Sequence, residues 1–181
     1  MISHLTSIRE LAFIVGDAFI KAERTAVLSG GGAAEVYAPS VYQSQDLDFI
    51  LSFGGGAAHV IEQLGFSYKS GMYRHPDTIF TLEFPPGPLA IGEDYGIKPV
   101  RLTDEQSGQQ LDIISPTDCV RDRLAWYLFG NRADFSALSQ AVAIAKNLGG
   151  QIDYDKIRSW GKDERVEERL AHFLVRVGQA I

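Results

Sequence analysis

Residues 26–51 read AVLSGGGAAEVYAPSVYQSQDLDFIL, and the order of residue types along this stretch decides the fold. The apolar segment Ala26–Ser29 runs directly into three glycines at 30–32, which predicts a strand, a tight turn and then a helix to about residue 37. Residues 46–51 are rich in strand-forming types and predict a second strand. The stretch therefore predicts a strand–helix–strand unit in which glycines open the helix.

Two aspartates lie on the second predicted strand. Asp46 and Asp48 are two residues apart, and side chains at this spacing project from one face of a strand, with Cα atoms about 6.5–7 Å apart. Leu47, Phe49 and Leu51 then face the core. Two carboxylates so close repel each other unless a cation or a proton lies between them. Oxygen ligands suit Mg²⁺, which commonly takes one or two carboxylates together with substrate phosphates.

The glycines supply a complementary feature. Glycine lets backbone N–H groups approach phosphate oxygens closely, and the helix dipole favours an anion at the start of a helix. A phosphate-binding turn beside a magnesium-binding strand predicts a site for a nucleoside triphosphate. With two metal ions bridging a triphosphate, the expected chemistry is in-line displacement at phosphorus.

A third carboxylate would complete such a site, and the sequence offers two candidates. Glu83 is the first, because Leu82 and Phe84 take the core face of a predicted strand and leave Glu83 on the opposite face. Asp112 stands in a similar alternating context and is the alternative.

Composition and charge exclude several other classes of protein. The chain has 181 residues, 45% apolar and 22% charged, a balance typical of a globular protein. Its single cysteine, Cys119, excludes an internal disulfide, and its four histidines have no paired spacing that would favour a metal site. The net charge of −6 disfavours a protein that coats nucleic acid. No apolar run reaches the roughly 18 residues of a membrane span, and the first residues lack a signal-peptide pattern, so a cytoplasmic location is expected.

The rest of the sequence divides into a sheet-forming part and a helical part. We predict an α/β (α+β) fold with a small mixed β-sheet in residues 1–115 and a C-terminal helical bundle in residues 116–181, as two domains or one continuous domain. The predicted elements are a first helix capped by Ser3 with Leu5 on its apolar face, a helix containing Val60, Ile61 and Leu64, strands at 67–74 and 78–84, a loop at 85–99, a hairpin at 100–114, and helices at 116–129, 134–148, 154–160 and 164–179.

Two further features near the predicted site have more than one interpretation. The loop of residues 84–88 directly follows Glu83, so it borders the cleft or serves only as a rigid connection. Trp126, Tyr127 and Phe129 have near-helical spacing and are expected to be core residues rather than a base-stacking platform.

The segments LSGGGA (28–33) and SQDLDF (44–49) together resemble the signature of the nucleotidyltransferase superfamily with the DNA polymerase β-like fold. The resemblance is greatest to the minimal, AbiEii-type and toxin–antitoxin-associated nucleotidyltransferases, and it spans roughly residues 25–148. In these proteins a glycine pair opens the helix after the first strand, an Asp-x-Asp pair on the next strand binds magnesium, and an acidic residue on a later strand completes the triad.

The resemblance implies an activity and a set of site residues. An NTP is the substrate, and its nucleoside monophosphate moves to a hydroxyl of an RNA, a protein or a small molecule, although the acidic charge disfavours a large RNA. A partner protein of a toxin–antitoxin pair is also implied. Asp46, Asp48 and Glu83 become the catalytic carboxylates and the ligands of Mg²⁺ or Mn²⁺. The residues implied in nucleotide binding are Ser29, Gly30, Gly31, Gly32, Ser44 and Arg123, with Arg121 as the alternative arginine.

At three positions the chain departs from many of these relatives. Gly32 stands where Ser or Thr is common, Tyr42 where Arg is common, and Arg121 where Lys is commoner. The alternative function is therefore a catalytically inactive descendant that binds a nucleotide or a partner protein. A DNA-binding regulator is disfavoured, because no predicted helix is strongly basic on one face.

Overall fold

The computed structural model describes residues 2–39, 44–52, 56–129 and 135–180. The strands in these ranges are β1 (Ala26–Ser29), β2 (Asp46–Leu51), β3 (Ser67–Lys69), β4 (Met72–Arg74), β5 (Thr81–Glu83), β6 (Val100–Thr103) and β7 (Gln110–Ile113). The helices are α1 (Ile8–Lys21), α2 (Gly30–Tyr37), α3 (Ala57–Gln63), α4 (Pro116–Phe129), α5 (Phe135–Leu148), α6 (Tyr154–Asp163) and α7 (Glu167–Arg176), with a short 3-10 helix at Gly149–Gln151.

The described strands form one mixed sheet in the order β3-β4-β5-β2-β1-β7-β6. At its centre β1 pairs antiparallel with β2 and parallel with β7, while β2 pairs parallel with β5. The outer pairs β3–β4 and β6–β7 are antiparallel hairpins. The predicted fold class is confirmed, because a mixed sheet in the first part of the chain is followed by helices.

Apolar side chains occupy one face of the central strands. Leu28 lies opposite Phe49, and Leu47 lies opposite Leu82, so that these fully buried side chains share a face. Phe19 of α1 packs against the ring of Phe49 on that face, with ring centroids 6.2 Å apart. If one strand shifted by one residue relative to its neighbour, the intervening polar side chains would face the core. Burial of the apolar side chains therefore fixes the register of the strands. The opposite face is left for Asp46, Asp48 and Glu83.

The first helix begins later than the sequence pattern predicts. Ser7, not Ser3, caps α1, and its side chain accepts a hydrogen bond from the Glu10 N–H while the Glu10 carboxylate accepts one from the Ser7 N–H. This reciprocal pair satisfies two donors that a helix start leaves unpaired. Leu5 is 93% exposed and lies outside the helix, so its predicted place on the apolar face is wrong.

Residues 67–74 form a hairpin rather than the single predicted strand. The chain turns at Ser70 and Gly71, which have φ angles of 53° and 90°. Two residues with positive φ make the tight turn that matches the twist of a hairpin. Tyr68 and Tyr73 then lie opposite each other, with ring centroids 5.2 Å apart.

The helices of the second part pack on the first part through α2. This helix contacts both α4 and α5, and one cluster of buried apolar residues extends across residue 115. The division of the chain at residue 115 into two domains stays a prediction. Within the described ranges, no helix has both the length and the apolar character needed to cross a membrane.

Candidate active site

The glycine turn and the Asp-x-Asp strand meet at the sheet surface. Ser29, the last residue of β1, lies opposite Asp48 of β2 in the antiparallel pair. Gly30 has a φ of +70°, and a Cβ at this position would lie 2.5 Å from Asp48 Oδ2. A Cβ at Gly31 would lie 2.8 Å from Ser44 Oγ. Only glycine therefore permits the turn to approach both side chains.

The start of α2 is left open for an anion. The Ser29 side chain does not cap this helix, and its hydroxyl instead donates to the Asp48 carbonyl oxygen at 3.4 Å. Ser29 thus supplies no side-chain cap to the N–H groups of the first turn, which lie at the positive end of the helix dipole. A Cβ at Gly32 would lie 2.6 Å from Leu47 Cδ2, and the role of Gly32 in nucleotide binding stays a prediction. Gly32 allows α2 to pack closely on β2.

Three carboxylates share the face above the central strands. Asp46 and Asp48 alternate with buried Leu47 on β2, and Glu83 of β5 lies directly beside Asp48 in the parallel pair. Neighbouring strands are about 4.8 Å apart, and paired residues point to the same side. The sequence-predicted triad residues are thus brought together on adjacent strands.

The charges of this group affect one another. Burial, followed by the neighbouring carboxylates of Asp46 and Glu83, raises the pKa of Asp48 to about 6. The guanidinium of Arg123 acts in the opposite direction, and Asp122 of α4 adds to the rise. A cation placed among these carboxylates would relieve the repulsion that raises the pKa of Asp48.

Asp112, the alternative third carboxylate, forms an ion pair with Arg101. Both of its oxygens accept hydrogen bonds from Arg101, at 2.7 and 2.8 Å. It lies on β7, which is separated from β2 by β1, so its backbone is at least roughly 9 Å from that of Asp48. The arrangement favours Glu83 as the third member of the group.

The two candidate arginines of α4 occupy different environments. Arg123 Nη1 lies 3.8 Å from the position that a Cβ of Gly31 would take, while its Nε and Nη2 donate to the Asp122 carboxylate. Arg121 is 2% exposed and forms ion pairs of 2.7 Å with Asp118 and Asp94. Arg123 is therefore the arginine that faces the glycine turn, whereas the guanidinium of Arg121 is bound by Asp118 and Asp94.

Ser44 lies between the glycine turn and β2, the strand that carries Asp46 and Asp48. The Ser44 hydroxyl donates a hydrogen bond to Asp46 Oδ1 at 2.9 Å. The Ser44 Oγ also lies close to Gly31, where a Cβ would come within 2.8 Å of it. Among the residues implied in nucleotide binding, Ser29, Gly30, Gly31, Ser44 and Arg123 are brought together, and Gly32 is not. Tyr42, where many relatives have arginine, lies outside the described residues.

A cavity of about 260 Å³ extends from Asp48, the one member of the carboxylate group that lines it, to the helical part of the chain. Gly30 and Asp48 line one part of it, and residues of the loop after β5, including Pro86, line another. The loop thus borders the cleft, as one of its two interpretations predicts. Asp122 and Trp126 of α4 complete the lining.

The prediction that the three α4 aromatics are core residues is wrong for two of them. Tyr127 is buried, whereas Trp126 is 59% and Phe129 47% exposed. Sequence reasoning missed Trp126 and Asp122 as cleft residues. Their four-residue spacing, which places both on one face of a helix, is the signal that could have found them.

The residues present fit a hard divalent cation, although they are not assembled as a finished site. Carboxylate oxygens are the ligands that Mg²⁺ prefers, and the neighbouring carboxylates that, after burial, raise the pKa of Asp48 carry charges that a cation would neutralise. In the ranges that the structure describes, no three acidic, histidine or cysteine side chains already converge as an ion site. Asp46, Asp48 and Glu83 would have to draw together to hold the ion.

A larger cavity elsewhere has no comparable chemistry. It has a volume of about 790 Å³ and lies between α1 and the turn after β6. Arg9 and Asp104, which line it, neutralise each other in an ion pair of 2.9 Å. It lacks the glycine turn and the carboxylate group, so the smaller cavity is the candidate active site.

Two solved structures share the fold over most of their length. The chain aligns with an antigenic nucleotidyltransferase-like protein from Paracoccidioides brasiliensis over 97% of its own residues and 95% of that chain, with a TM-score of 0.58 and 14% identity. It aligns with the solution structure of the antibiotic-resistance factor ANT(2'')-Ia over 90% of its residues and 97% of that chain, with a TM-score of 0.55 and 14% identity.

Comparison by sequence identifies no family and no relative of this chain. The chain matches no protein-family model, and no curated protein matches it significantly. The narrower AbiEii-type assignment therefore stays a prediction. The shared topology shows that the chain has a nucleotidyltransferase-like fold.

Proposed function

We propose that this protein is a magnesium-dependent nucleotidyltransferase that moves a nucleoside monophosphate from an NTP to a hydroxyl group and releases pyrophosphate. The observation that carries the proposal is the meeting of Gly30, Asp48 and Glu83 at one point of the sheet. A phosphate-binding turn and adjacent carboxylates are the two parts that phosphoryl chemistry with metal ions requires.

Each residue of the site has a role in this reaction. The uncapped first turn of α2 and Arg123 hold the triphosphate, and Ser44 orients Asp46. Asp46, Asp48 and Glu83 hold Mg²⁺ or Mn²⁺, which when bound polarises the phosphate and stabilises the attacking and leaving oxygens. Glu83 also helps to take the proton of the acceptor hydroxyl. The acceptor oxygen forms a bond to the α-phosphorus as the bond to the β-phosphate oxygen breaks.

Binding of Mg·NTP tests this proposal directly. We expect calorimetry to detect binding of Mg·ATP or another Mg·NTP to the wild-type protein, with a rise in Tm that requires magnesium. The Asp46→Asn/Asp48→Asn double variant should lose both signals. The Asp112→Asn variant is the matched control on the same sheet face and should retain them. Lack of binding to the wild-type protein by every NTP would overturn the proposal.

Replacing Arg123 should weaken nucleotide binding without disturbing the fold. We expect Arg123→Gln to lower the affinity for Mg·NTP about tenfold, because a charge-assisted hydrogen bond to phosphate is lost. Arg123→Lys should lose less, since the positive charge remains. Calorimetry measures both, and Arg101→Gln serves as the distant control. Unchanged affinity of Arg123→Gln would remove this residue from the site.

The acceptor is a hydroxyl-bearing small molecule, a protein or an RNA end. The net charge of −6 favours a small molecule over a large RNA. A screen of hydroxyl compounds for pyrophosphate release in the presence of Mg·NTP would identify the acceptor class.

The second candidate function is binding of a nucleotide or a partner protein without catalysis. It is favoured by the finding that, in the described ranges, three metal-ligating side chains do not already converge. Binding of nucleotide that is equally tight with and without magnesium, and no pyrophosphate release with any acceptor, would support it.

The proposed substrate and the motif resemblance also suggest a cellular location and a partner protein. A cytoplasmic location agrees with a need for NTPs and magnesium. The motif resemblance alone supports a partner protein in a toxin–antitoxin pair. Isolation of the protein with a stable partner whose removal inhibits growth would support this part of the proposal.

A further inference from the structure

An exposed aromatic side chain lines the candidate active site. Trp126 is 59% exposed and borders the cavity that also contains Gly30 and Asp48. It lies one helical turn after Asp122, which lines the same cavity. Ligand sites combine aromatic walls with a few polar groups.

The cavity has an apolar second wall. Pro86, Leu89 and Ile91, in the loop that follows β5, line it together with Trp126. Their surfaces carry no charge and offer no side-chain hydrogen bond. The cavity is thus lined both by the glycine turn with the carboxylates of Asp48 and Asp122 and by the apolar side chains of this loop and Trp126.

The loop and Trp126 are held at a fixed separation by side chains of the helical part. Arg121, on the same helix as Trp126, forms an ion pair of 2.7 Å with Asp94 of the loop. Glu164, which follows α6, accepts a hydrogen bond of 2.9 Å from the Glu93 N–H. Arg121 is buried, whereas the Asp94 side chain is 36% exposed.

We propose that the space between Trp126 and the loop of residues 86–91 receives the nucleobase of the NTP, which stacks on the indole ring. This inference rests on the proposed function. A nucleotide combines anionic phosphates, which suit the glycine turn, with a flat ring, which suits an aromatic and apolar wall. The volume of about 260 Å³ suits a nucleoside, with the phosphates extending to the open glycine turn.

Stacking has a recognisable consequence for base preference. Every nucleobase offers a flat π face, so an aromatic platform accepts all of them and favours those with the larger ring. Purine and pyrimidine triphosphates should therefore both bind, and the purines more tightly. Trp126 acts as a specificity-determining residue in this reaction and takes no part in the bond changes.

The test compares a nucleotide with its phosphate chain alone. Magnesium with ATP and magnesium with tripolyphosphate are titrated by calorimetry, without acceptor, into wild-type protein and into Trp126→Ala, Trp126→Phe and Phe129→Ala. We expect Trp126→Ala to weaken Mg·ATP binding about tenfold and to leave Mg·tripolyphosphate binding unchanged. Trp126→Phe should retain most of the affinity. Phe129→Ala, which removes an exposed aromatic on α4 that does not line this cavity, should bind like wild type.

Fluorescence gives an independent measurement on the same residue. The chain has two tryptophans, and the other one, Trp160, is buried. In a Trp160→Phe background, Mg·ATP should quench the emission of Trp126, whereas Mg·tripolyphosphate should not.

The possible results separate this inference from the proposed function. Normal Mg·ATP affinity in Trp126→Ala, with both ligands bound by the wild type, would overturn the stacking proposal and leave the proposed function intact. A change only in the KM for the acceptor would also overturn it, because Trp126 would then contact the acceptor. Failure of the wild type to bind either ligand would overturn the proposed function and this inference with it.

Discussion

Replacing Glu83 by glutamine is expected to lower kcat for nucleotidyl transfer at least about a thousandfold. Glu83 lies beside Asp48 on the adjacent parallel strand, and its charge contributes to the raised pKa of that aspartate. Glutamine keeps the size of the side chain but removes the negative charge that holds the cation and receives the acceptor proton. The affinity for Mg·NTP should fall much less than kcat, because Asp46 and Asp48 remain.

The matched control for Glu83→Gln is Asp112→Asn. Asp112 lies on the same face of the sheet but is bound to Arg101. Its replacement should change kcat by no more than about threefold. Pyrophosphate release measured with saturating NTP and acceptor distinguishes the two variants. If Asp112→Asn lost the activity and Glu83→Gln kept it, the triad would include Asp112 and the role assigned to Glu83 would be wrong.

Local sequence pattern was sufficient to predict the centre of the fold. Burial of every second residue in Leu47-Asp48-Phe49 fixes which face of β2 carries the aspartates. The three glycines predict a turn, because few other residues tolerate the positive φ of Gly30. These features depend on neighbours along the chain and on one periodicity, so a single sequence contains them.

Features that depend on tertiary partners could not be predicted in the same way. Arg121 and Arg123 are two residues apart on one helix, and only the position of Asp94 in a distant loop gives Arg121 its ion pair with that aspartate. Trp126 looks like a core residue by spacing, but the loop after β5 leaves a cavity beside it. Pattern alone likewise cannot distinguish Asp112 from Glu83, because the difference is an ion pair with Arg101.

Replacing Asp48 by asparagine is expected to stabilise the metal-free protein at neutral pH while removing its response to magnesium. The pKa of Asp48 is raised from its ordinary value of 3.8 to about 6 by burial and by the neighbouring carboxylates. Between these two pH values the folded protein binds more protons than the unfolded chain. The free energy of unfolding therefore falls as pH rises through this window and stays lower above it.

The gain in the free energy of unfolding that we expect for Asp48→Asn follows from the size of the rise in the pKa of Asp48. At pH 7.5, without metal, Asp48→Asn should raise the free energy of unfolding by about 2 kcal/mol, a value reduced for partial exposure. At pH 4 the gain should largely disappear, because the wild-type carboxylate is then protonated in the folded protein. Urea unfolding at the two pH values measures the difference.

Asp104 supplies a control, because its pKa is lowered whereas that of Asp48 is raised. Hydrogen bonds from Arg9 and Ser107 lower its pKa to about 2, so its ionised form contributes stability above pH 3.8 that is lost as pH falls toward 2. Asp104→Asn should therefore lower the free energy of unfolding at pH 7.5, where Asp48→Asn raises it. Added magnesium should stabilise the wild type and the Asp104 variant by mass action, but not the Asp48 variant. If Asp48→Asn were less stable than wild type at pH 7.5 without metal, the ionised Asp48 carboxylate would not destabilise the metal-free protein. The proposal that a cation binds here because it relieves this destabilisation would then be wrong.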